Sequence, residues 1–406
     1  MRLAERLERL GTENAFEVLA EVNKLLAQGR QIVSFAIGEP DFNTPENIKE
    51  AAVAALRRNE THYGPSAGLP ELRQAIATEV SRTRDLPVSP DEVVVMPGGK
   101  PVIFHGLLAL VDPGDEVLYP NPGFPIYESV IRFVGATPVP IPLREEREFS
   151  LDPAEVARLI TPRTKLVILN SPHNPTGGVL PREDLEAVAE LAREHDLWVL
   201  SDEIYNRILF EGKFASLASF SGMKERTVIL DGFSKTYAMT GWRLGYGVMP
   251  AELARWVARL ETNCESCTCT FSQLAGVEAL TGDQSAAEAM VAEFKARRDL
   301  IVDGLNSIRG VKCLRPHGAF YVFPNVTEAC RNLGLPDSKA LQQKLLYEGN
   351  VAVLPRTAFG MRNRDESQEY LRLSYATSRE NIVEGLKRIK AVLGRVGQSF
   401  AGLNER

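Results

Sequence analysis

Between Asp91 and about Pro250 the chain repeats one pattern, a short apolar or β-branched run followed by polar or amphipathic sequence. The runs are Val93 to Met96, Glu116 to Tyr119, Leu166 to Leu169, Trp198 to Leu200 and Thr227 to Leu230. Amphipathic helical stretches lie between several of them, most plainly Glu183 to His195. Near-continuous apolar strands separated by helices predict a mainly parallel sheet covered on both faces. In such an α/β domain the functional site lies at the carboxyl ends of the strands.

The pattern changes after about Thr281. A long helix, Ala286 to Ile308, leads into strand-like Val311 to Leu314 and Ala319 to Phe323. A helix over Ser338 to Tyr347, a strand over Tyr370 to Tyr375 and a helix from Arg379 follow. This reads as a smaller α+β domain. Ahead of the large domain, Asn14 to Gln28 predicts a helix with Phe16, Leu19, Val22 and Leu26 on one face. A strand-like piece follows at Ile32 to Ala36. Thr44-Pro45 then opens a helix, with Thr44 as its N-cap. The expected division is an N-terminal segment, 1–45, packing with the small domain, a large domain over 46–282 and a small domain over 283–406. A length of 406 residues suits this, at roughly 150 residues per domain. The polar tail from Gly397 is expected to fray.

Composition excludes several classes. Charged residues make up 25% of the chain and the net charge is −6, which argues against a nucleic-acid binder. Apolar stretches such as Gly106 to Val111 fall far short of the roughly 18 residues a membrane helix needs. Met1 to Leu10 mixes charges with leucine and does not read as a signal peptide. The expectation is a cytoplasmic protein. Three of the five cysteines cluster at Cys264, Cys267 and Cys269. No histidine or further cysteine pair lies near them, so they read as ordinary thiols, with no metal site expected.

The chemistry gathers where strands end. Lys235 follows the run Val228 to Leu230, behind Gly232, Phe233 and Ser234. A lysine beside other cations, or partly desolvated, has a lowered pKa and forms Schiff bases. Arg243 offers a planar fork for a phosphate. Asp202 follows the run Trp198 to Leu200. Gly98 and Gly99 lie between Val93–Met96 and a helix over Val102 to Val111, and Lys100-Pro101 opens that helix. Bare backbone N–H groups at a helix start suit a phosphate. Arg372, flanked by Leu371 and Leu373, needs a partner in a strand and matches a carboxylate bidentately.

The run Gly232-Phe-Ser-Lys-Thr-Tyr-Ala-Met-Thr-Gly-Trp-Arg-Leu-Gly245 resembles the lysine signature of class-I aminotransferases, which use pyridoxal 5′-phosphate. The resemblance extends from about Glu13 to the last helix. It implies the aspartate-aminotransferase-like α/β fold with a small C-terminal domain, and a homodimer. It implies that Lys235 carries the cofactor and that Asp202, in Ser201-Asp-Glu-Ile-Tyr205, pairs with the pyridine nitrogen. A carboxylate there keeps the ring protonated and electron-accepting. Tyr205 would bond the ring's phenolic oxygen. Asn174, in Asn170-Ser-Pro-His-Asn-Pro-Thr-Gly177, would bond that oxygen and the substrate carboxylate. Either X-Pro bond of that run could be cis.

By the same resemblance Phe124 stacks on the cofactor ring, Arg243 binds its phosphate, and Tyr63 reaches the phosphate held by a neighbouring subunit. His62 is left as structural. Arg372 takes the substrate α-carboxylate, helped by the backbone at Gly38. The family commonly has serine or threonine at position 100. Lysine there is similar to a bacterial subgroup of aspartate aminotransferases, in which it reads the distal carboxylate. Many relatives have tryptophan at position 124, which can donate a hydrogen bond where phenylalanine cannot. Many also have serine at position 232. Here Gly232 leaves the phosphate either to Ser234 or to backbone N–H groups, Tyr63 and Arg243.

The implied activity is ping-pong transamination from an L-amino acid, aspartate or glutamate, to a 2-oxo acid such as 2-oxoglutarate. The alternatives on the same fold are a transaminase for aromatic, branched or other neutral amino acids, and a carbon–sulfur lyase. A non-catalytic binding module is a further class, which the intact Asp202, Tyr205, Lys235 and Arg243 set disfavours.

Overall fold

The computed structural model describes residues 3–12 and 14–394, with side chains throughout except at 14–16. The tail from Gly397 and the side chain of Phe16 lie outside what is described. The chain forms two units. One comprises 1–12, 39–293 and 317–319, and the other 13–38, 294–316 and 320–406. The segment 1–45 is therefore divided between the units. The later boundary falls at 293/294, inside the continuous helix Ser285–Asn306, where no change of composition marks it.

The larger unit is built on a seven-stranded sheet. Its strands lie in the order Val93–Met96, Gly245–Val248, Thr227–Gly232, Trp198–Asp202, Thr164–Asn170, Glu116–Asn121, Thr137–Pro142. All neighbouring pairs are parallel except the two made by Gly245–Val248. Alternate residues serve the two faces, as the pleat requires. Val93, Val95 and Ile229 pack with Ile48, Leu72 and Ile76 of helices Glu46–Arg57 and Pro70–Arg84. Val94, Met96, Val228 and Leu230 pack with Val102, Ile103 and Leu107 of helix Lys100–Leu110. This two-sided burial explains why the central strands read as unbroken apolar runs.

Two strands escape the sequence pattern. Thr137–Pro142 carries Pro138, Pro140 and Pro142, and its place at the sheet edge tolerates residues that cannot donate to a ladder. Gly245–Val248 begins inside the lysine signature and is glycine-rich. The helix expected over Glu183 to His195 runs Arg182–Glu194. Thr44 does not cap helix Glu46–Arg57. Its hydroxyl donates to Ala238 O at 2.7 Å and accepts from Trp242 Nε1 at 3.0 Å, which leaves Pro45 at the N-cap.

The smaller unit contains a three-stranded antiparallel sheet, Leu354–Pro355, Leu371–Ser374 and Tyr321–Val322. Val33–Ser34 pairs in parallel with Val351–Ala352. Helices Thr327–Asn332, Ser338–Gly349 and Arg379–Leu393 complete it, with the later part of Ser285–Asn306. In helix Asn14–Ala27 the buried stripe contains Val22 and Leu25, and Leu26 is exposed, one position away from the expected face. Val311 to Leu314 is not a strand. The Asn306 side chain occupies both the N–H and the C=O of Cys313, at 2.8 and 3.0 Å, and leaves only an isolated Lys312–Asn325 bridge. Ala319 lies at φ +56°, outside extended geometry, so the strand there shortens to Tyr321–Val322.

Candidate active site

The larger unit places most of the predicted cofactor residues at or just after strand ends, where a doubly wound sheet opens a crevice, while Arg243 lies just before strand Gly245–Val248 and Tyr63 follows helix Glu46–Arg57. Asp202 is the last residue of its strand and sits opposite Asn170, the last residue of the next. The Asn170 amide donates to Asp202 O at 3.0 Å, and its Oδ1 accepts from Asn174 N at 2.9 Å. One side chain thus sets two predicted site residues. The Ser171–Pro172 and Asn174–Pro175 bonds are both cis, as is Asn121–Pro122.

Asp202 is buried. Its Oδ2 accepts from the Tyr127 hydroxyl at 2.6 Å and its Oδ1 from Ile204 N at 3.3 Å. Burial pushes its carboxyl up to about 6, against the pull of these two donors. Burial also holds the Tyr127 phenol well above its ordinary range, so it stays a donor. Tyr205 is buried, in the turn three residues beyond Asp202. His173, between Pro172 and Asn174, is buried and lowered to about 3 by desolvation. It is neutral, and Nδ1 lies 2.8 Å from Thr176 Oγ1.

Lys235 sits half-buried in the turn that follows strand Thr227–Gly232. That turn is pinned by Phe233 N to Leu244 O at 3.2 Å and Tyr237 N to Phe233 O at 3.2 Å. Ser234 beside it is buried. Behind the turn three glycines stack. A Cβ on Gly232 would come within 2.9 Å of Gly245 Cα, and one on Gly245 within 2.5 Å of the Gly98 carbonyl carbon. Gly232 is therefore held by close backbone packing.

Gly98, at φ +98°, turns the chain from strand Val93–Met96 toward helix Lys100–Leu110, with Gly99 at its N-cap. Arg243 reaches this corner. Its Nη1 donates to Thr240 O at 2.8 Å and Nη2 to Pro97 O at 3.2 Å. Lys100 Nζ lies 5.6 Å from the centre of the Phe124 ring. Phe124 is the N-cap of helix Pro125–Phe133 and packs edge-on against Tyr127. Tyr63 is 89% exposed on this chain, and the His62 carbonyl accepts from Thr270 Oγ1.

The smaller unit holds Arg372 and Gly38. Arg372 is buried in strand Leu371–Ser374 and its Nη2 donates to Ala36 O. The rings of Tyr321 and Phe359 lie 4.7 and 5.0 Å from its Cζ. A Cβ on Gly38 would overlap the Tyr321 hydroxyl, so only glycine fits there. Tyr127, Asn170, Tyr321 and Phe359 were not singled out from the sequence. The register Ser374↔Tyr321 is what brings Tyr321 beside the Arg372 strand, and no local spacing signals it.

The residues present suit pyridoxal phosphate. A methyl group on Gly98 would lie 2.2 Å from Arg243 Nη2, so the guanidinium rests on bare backbone beside a helix start. A side chain would fill this anion cradle. The buried Asp202 carboxylate suits a cationic ring nitrogen. Among the described residues no group of three or more His, Cys, Asp or Glu is placed to hold a metal ion.

Residues 30–389 match the family described as aminotransferase class I and II. The chain is 42% identical over 398 residues to a probable aspartate/prephenate aminotransferase of Aquifex aeolicus, covering 97% of this chain and 99% of the relative. It is 41% identical to the aspartate/prephenate aminotransferase of Thermus thermophilus, covering 97% and 99%. The solved structure of aspartate aminotransferase from Thermus thermophilus with maleate superimposes with a TM-score of 0.90 at 41% identity, covering 97% of this chain and all of that one. On the fold, the strand-end residues and these matches, the chain belongs to the class I and II aminotransferases and is a pyridoxal-phosphate-dependent transaminase.

Proposed function

We propose that this transaminase takes L-aspartate or L-glutamate as donor and 2-oxoglutarate as acceptor, in a ping-pong cycle. The observation that carries this reading is Lys100. Its ammonium stands at the first turn of helix Lys100–Leu110, beside the Phe124 ring, where a second substrate carboxylate would find a cation. The names of the two curated relatives support it, since aspartate and prephenate are both dicarboxylates.

When bound, pyridoxal phosphate supplies a carbonyl that takes the amine and a ring that accepts carbanion electrons. Lys235 Nζ would take the proton from the substrate α-carbon as general base and return it as general acid. Asp202 would hold the proton on the pyridine nitrogen. Tyr205 and Asn174 would bond the phenolic oxygen, and Phe124 would hold the ring by stacking. Arg243, Ser234 and the N–H groups at Gly98 and Gly99 would hold the phosphate. Arg372, with the backbone at Gly38, would take the substrate α-carboxylate in its bidentate fork.

The exposure of Tyr63 supports a homodimer in which it serves the site of a second copy. We place the enzyme in the cytoplasm. In support, no helix among the described residues is long and apolar enough to cross a membrane.

The test is a visible absorption titration of the yellow holoenzyme with L-aspartate and no acceptor. Conversion to the shorter-wavelength pyridoxamine form supports the reading. An unchanged band, with conversion by a neutral or aromatic amino acid, overturns the substrate class. Lys235→Ala should abolish turnover.

A further inference from the structure

Arg356 in the smaller unit is fully buried, yet the transamination chemistry assigns it nothing. It follows strand Leu354–Pro355 and meets Glu366 fork to fork. Nε lies 2.5 Å from Oε1, and Nη2 lies 2.7 Å from Oε2. Its other N–H groups gather backbone carbonyls. Nη1 donates to Gly360 O at 3.1 Å and Phe359 O at 3.4 Å, and Nη2 to Met361 O at 3.4 Å. Glu366 also accepts from Asn363 N at 3.1 Å.

The tied segment is not a core element. Met361 is 71% exposed, and Arg364 and Asp365 are exposed as well. Ordering such a stretch costs conformational entropy, so a buried bidentate pair is needed to hold one shape. The segment begins at Phe359, whose ring is buried against the Arg372 guanidinium. Phe359 also meets Phe323 edge-on, and Phe323 stacks on Tyr370, two residues before Arg372. The grip on the Phe359 and Gly360 carbonyls thus sets the ring that lies against Arg372.

We propose that Arg356 is a positioning residue for α-carboxylate recognition, acting through Phe359 on Arg372. The proposal rests on the reading of Arg372 as the α-carboxylate ligand. Every donor and acceptor carries that carboxylate, so a loosened Arg372 weakens both half-reactions alike. The chemistry at the α-carbon, carried by other residues, changes little.

The experiment uses the holoenzyme with Arg356→Met, Arg356→Lys, Glu366→Gln and Phe359→Leu. Steady-state kinetics give KM for the amino donor and for the oxo acceptor, and calorimetry gives the dissociation constant of the unreactive dicarboxylate succinate. We expect both KM values and the succinate constant to rise together by about tenfold, with kcat within about threefold of the parent. Phe359→Leu should reproduce this with Arg356 intact. If Arg356→Met fails to fold, Arg356→Lys and Glu366→Gln carry the test. A lowered Tm with unchanged KM values and succinate affinity overturns the proposal and leaves Arg356 a loop staple. Arg372→Lys separates the two readings. Unchanged succinate affinity there overturns the carboxylate reading itself. Weakened affinity there, with none in the Arg356 and Phe359 variants, overturns the positioning role alone.

Discussion

Tyr127 donates its phenolic hydrogen to Asp202 Oδ2 across 2.6 Å, and both groups are buried. The bond fixes the rotamer of the carboxylate and favours its charged form. It joins the first turn of helix Pro125–Phe133 to the end of strand Trp198–Asp202.

Removing that donor should be felt as a pH effect. Tyr127→Phe leaves burial to act on Asp202 with one opposing bond fewer, so its carboxyl protonates more readily. The acid limb of the kcat/KM profile should move to higher pH, and kcat at neutral pH should fall about tenfold, the worth of one bond to a charged group. A profile superimposable on the parent's would show that the bond does not tune Asp202.

The anion cradle makes a prediction about cofactor affinity alone. Arg243→Lys loses the planar fork, and Gly98→Ala drives a methyl group into the guanidinium at a backbone φ of +98°. Each should weaken cofactor binding about 10- to 100-fold in absorbance titrations of the apoenzyme. Parent-like affinity in both would place the phosphate elsewhere.

Behind the site, Arg84 is buried between two carboxylates, 3.0 Å from Glu203 Oε2 and 2.5 Å from Asp231 Oδ2. Asp231 also accepts from Asn206 at 2.7 Å and the Tyr246 hydroxyl at 3.0 Å. Glu203 follows Asp202 in the chain, and Asp231 precedes Gly232. Arg84→Met would leave both carboxylates without their cation and should cost about 3–5 kcal/mol in denaturant unfolding. Adding Asp231→Asn should restore part of that loss. A cost under about 1 kcal/mol would show that water reaches the network.

Glu261 is buried apart from that network, and its effect runs with pH. Burial lifts it to about 7, with the Glu265 charge adding, and His105 Nδ1 lies 3.6 Å away, its imidazole pushed below the ordinary histidine value by burial. The folded value exceeds the ordinary 4.5, so the folded state binds the proton more tightly. The stability linked to that proton is complete below pH 4.5 and lost as pH rises through 7. Glu261→Gln abolishes the titration. At pH 8.5 the variant should exceed the parent by about 1–3 kcal/mol, and the gap should close toward pH 5. A difference independent of pH would contradict the shift.

Much of the fold was legible because strands buried on both faces leave unbroken apolar runs. Val93–Met96 and the strands ending at Asn170, Asp202 and Gly232 are recognisable in that way, and the site residues follow them. Thr137–Pro142 was not, because its prolines suit only an edge and carry no apolar run. The cap assigned to Thr44 failed because its hydroxyl has tertiary partners, Ala238 O and Trp242 Nε1. In the smaller unit Cys313 gave up its ladder to the Asn306 side chain.

The sequence by itself determined the alternation that makes the parallel sheet and the residue types at each strand end, Lys235, Asp202 and Asn174 among them. Both are local, one set by the pleat and the other by motif order. Only the tertiary structure decided what holds those residues. Tyr127 meets Asp202 across 75 positions of chain, and Arg84 meets Asp231 across 147. Tyr321 and Phe359 come to Arg372 from separate segments. Such contacts depend on strand order and register, which no local spacing encodes, because a side chain's neighbours across a sheet are chosen by the whole pairing.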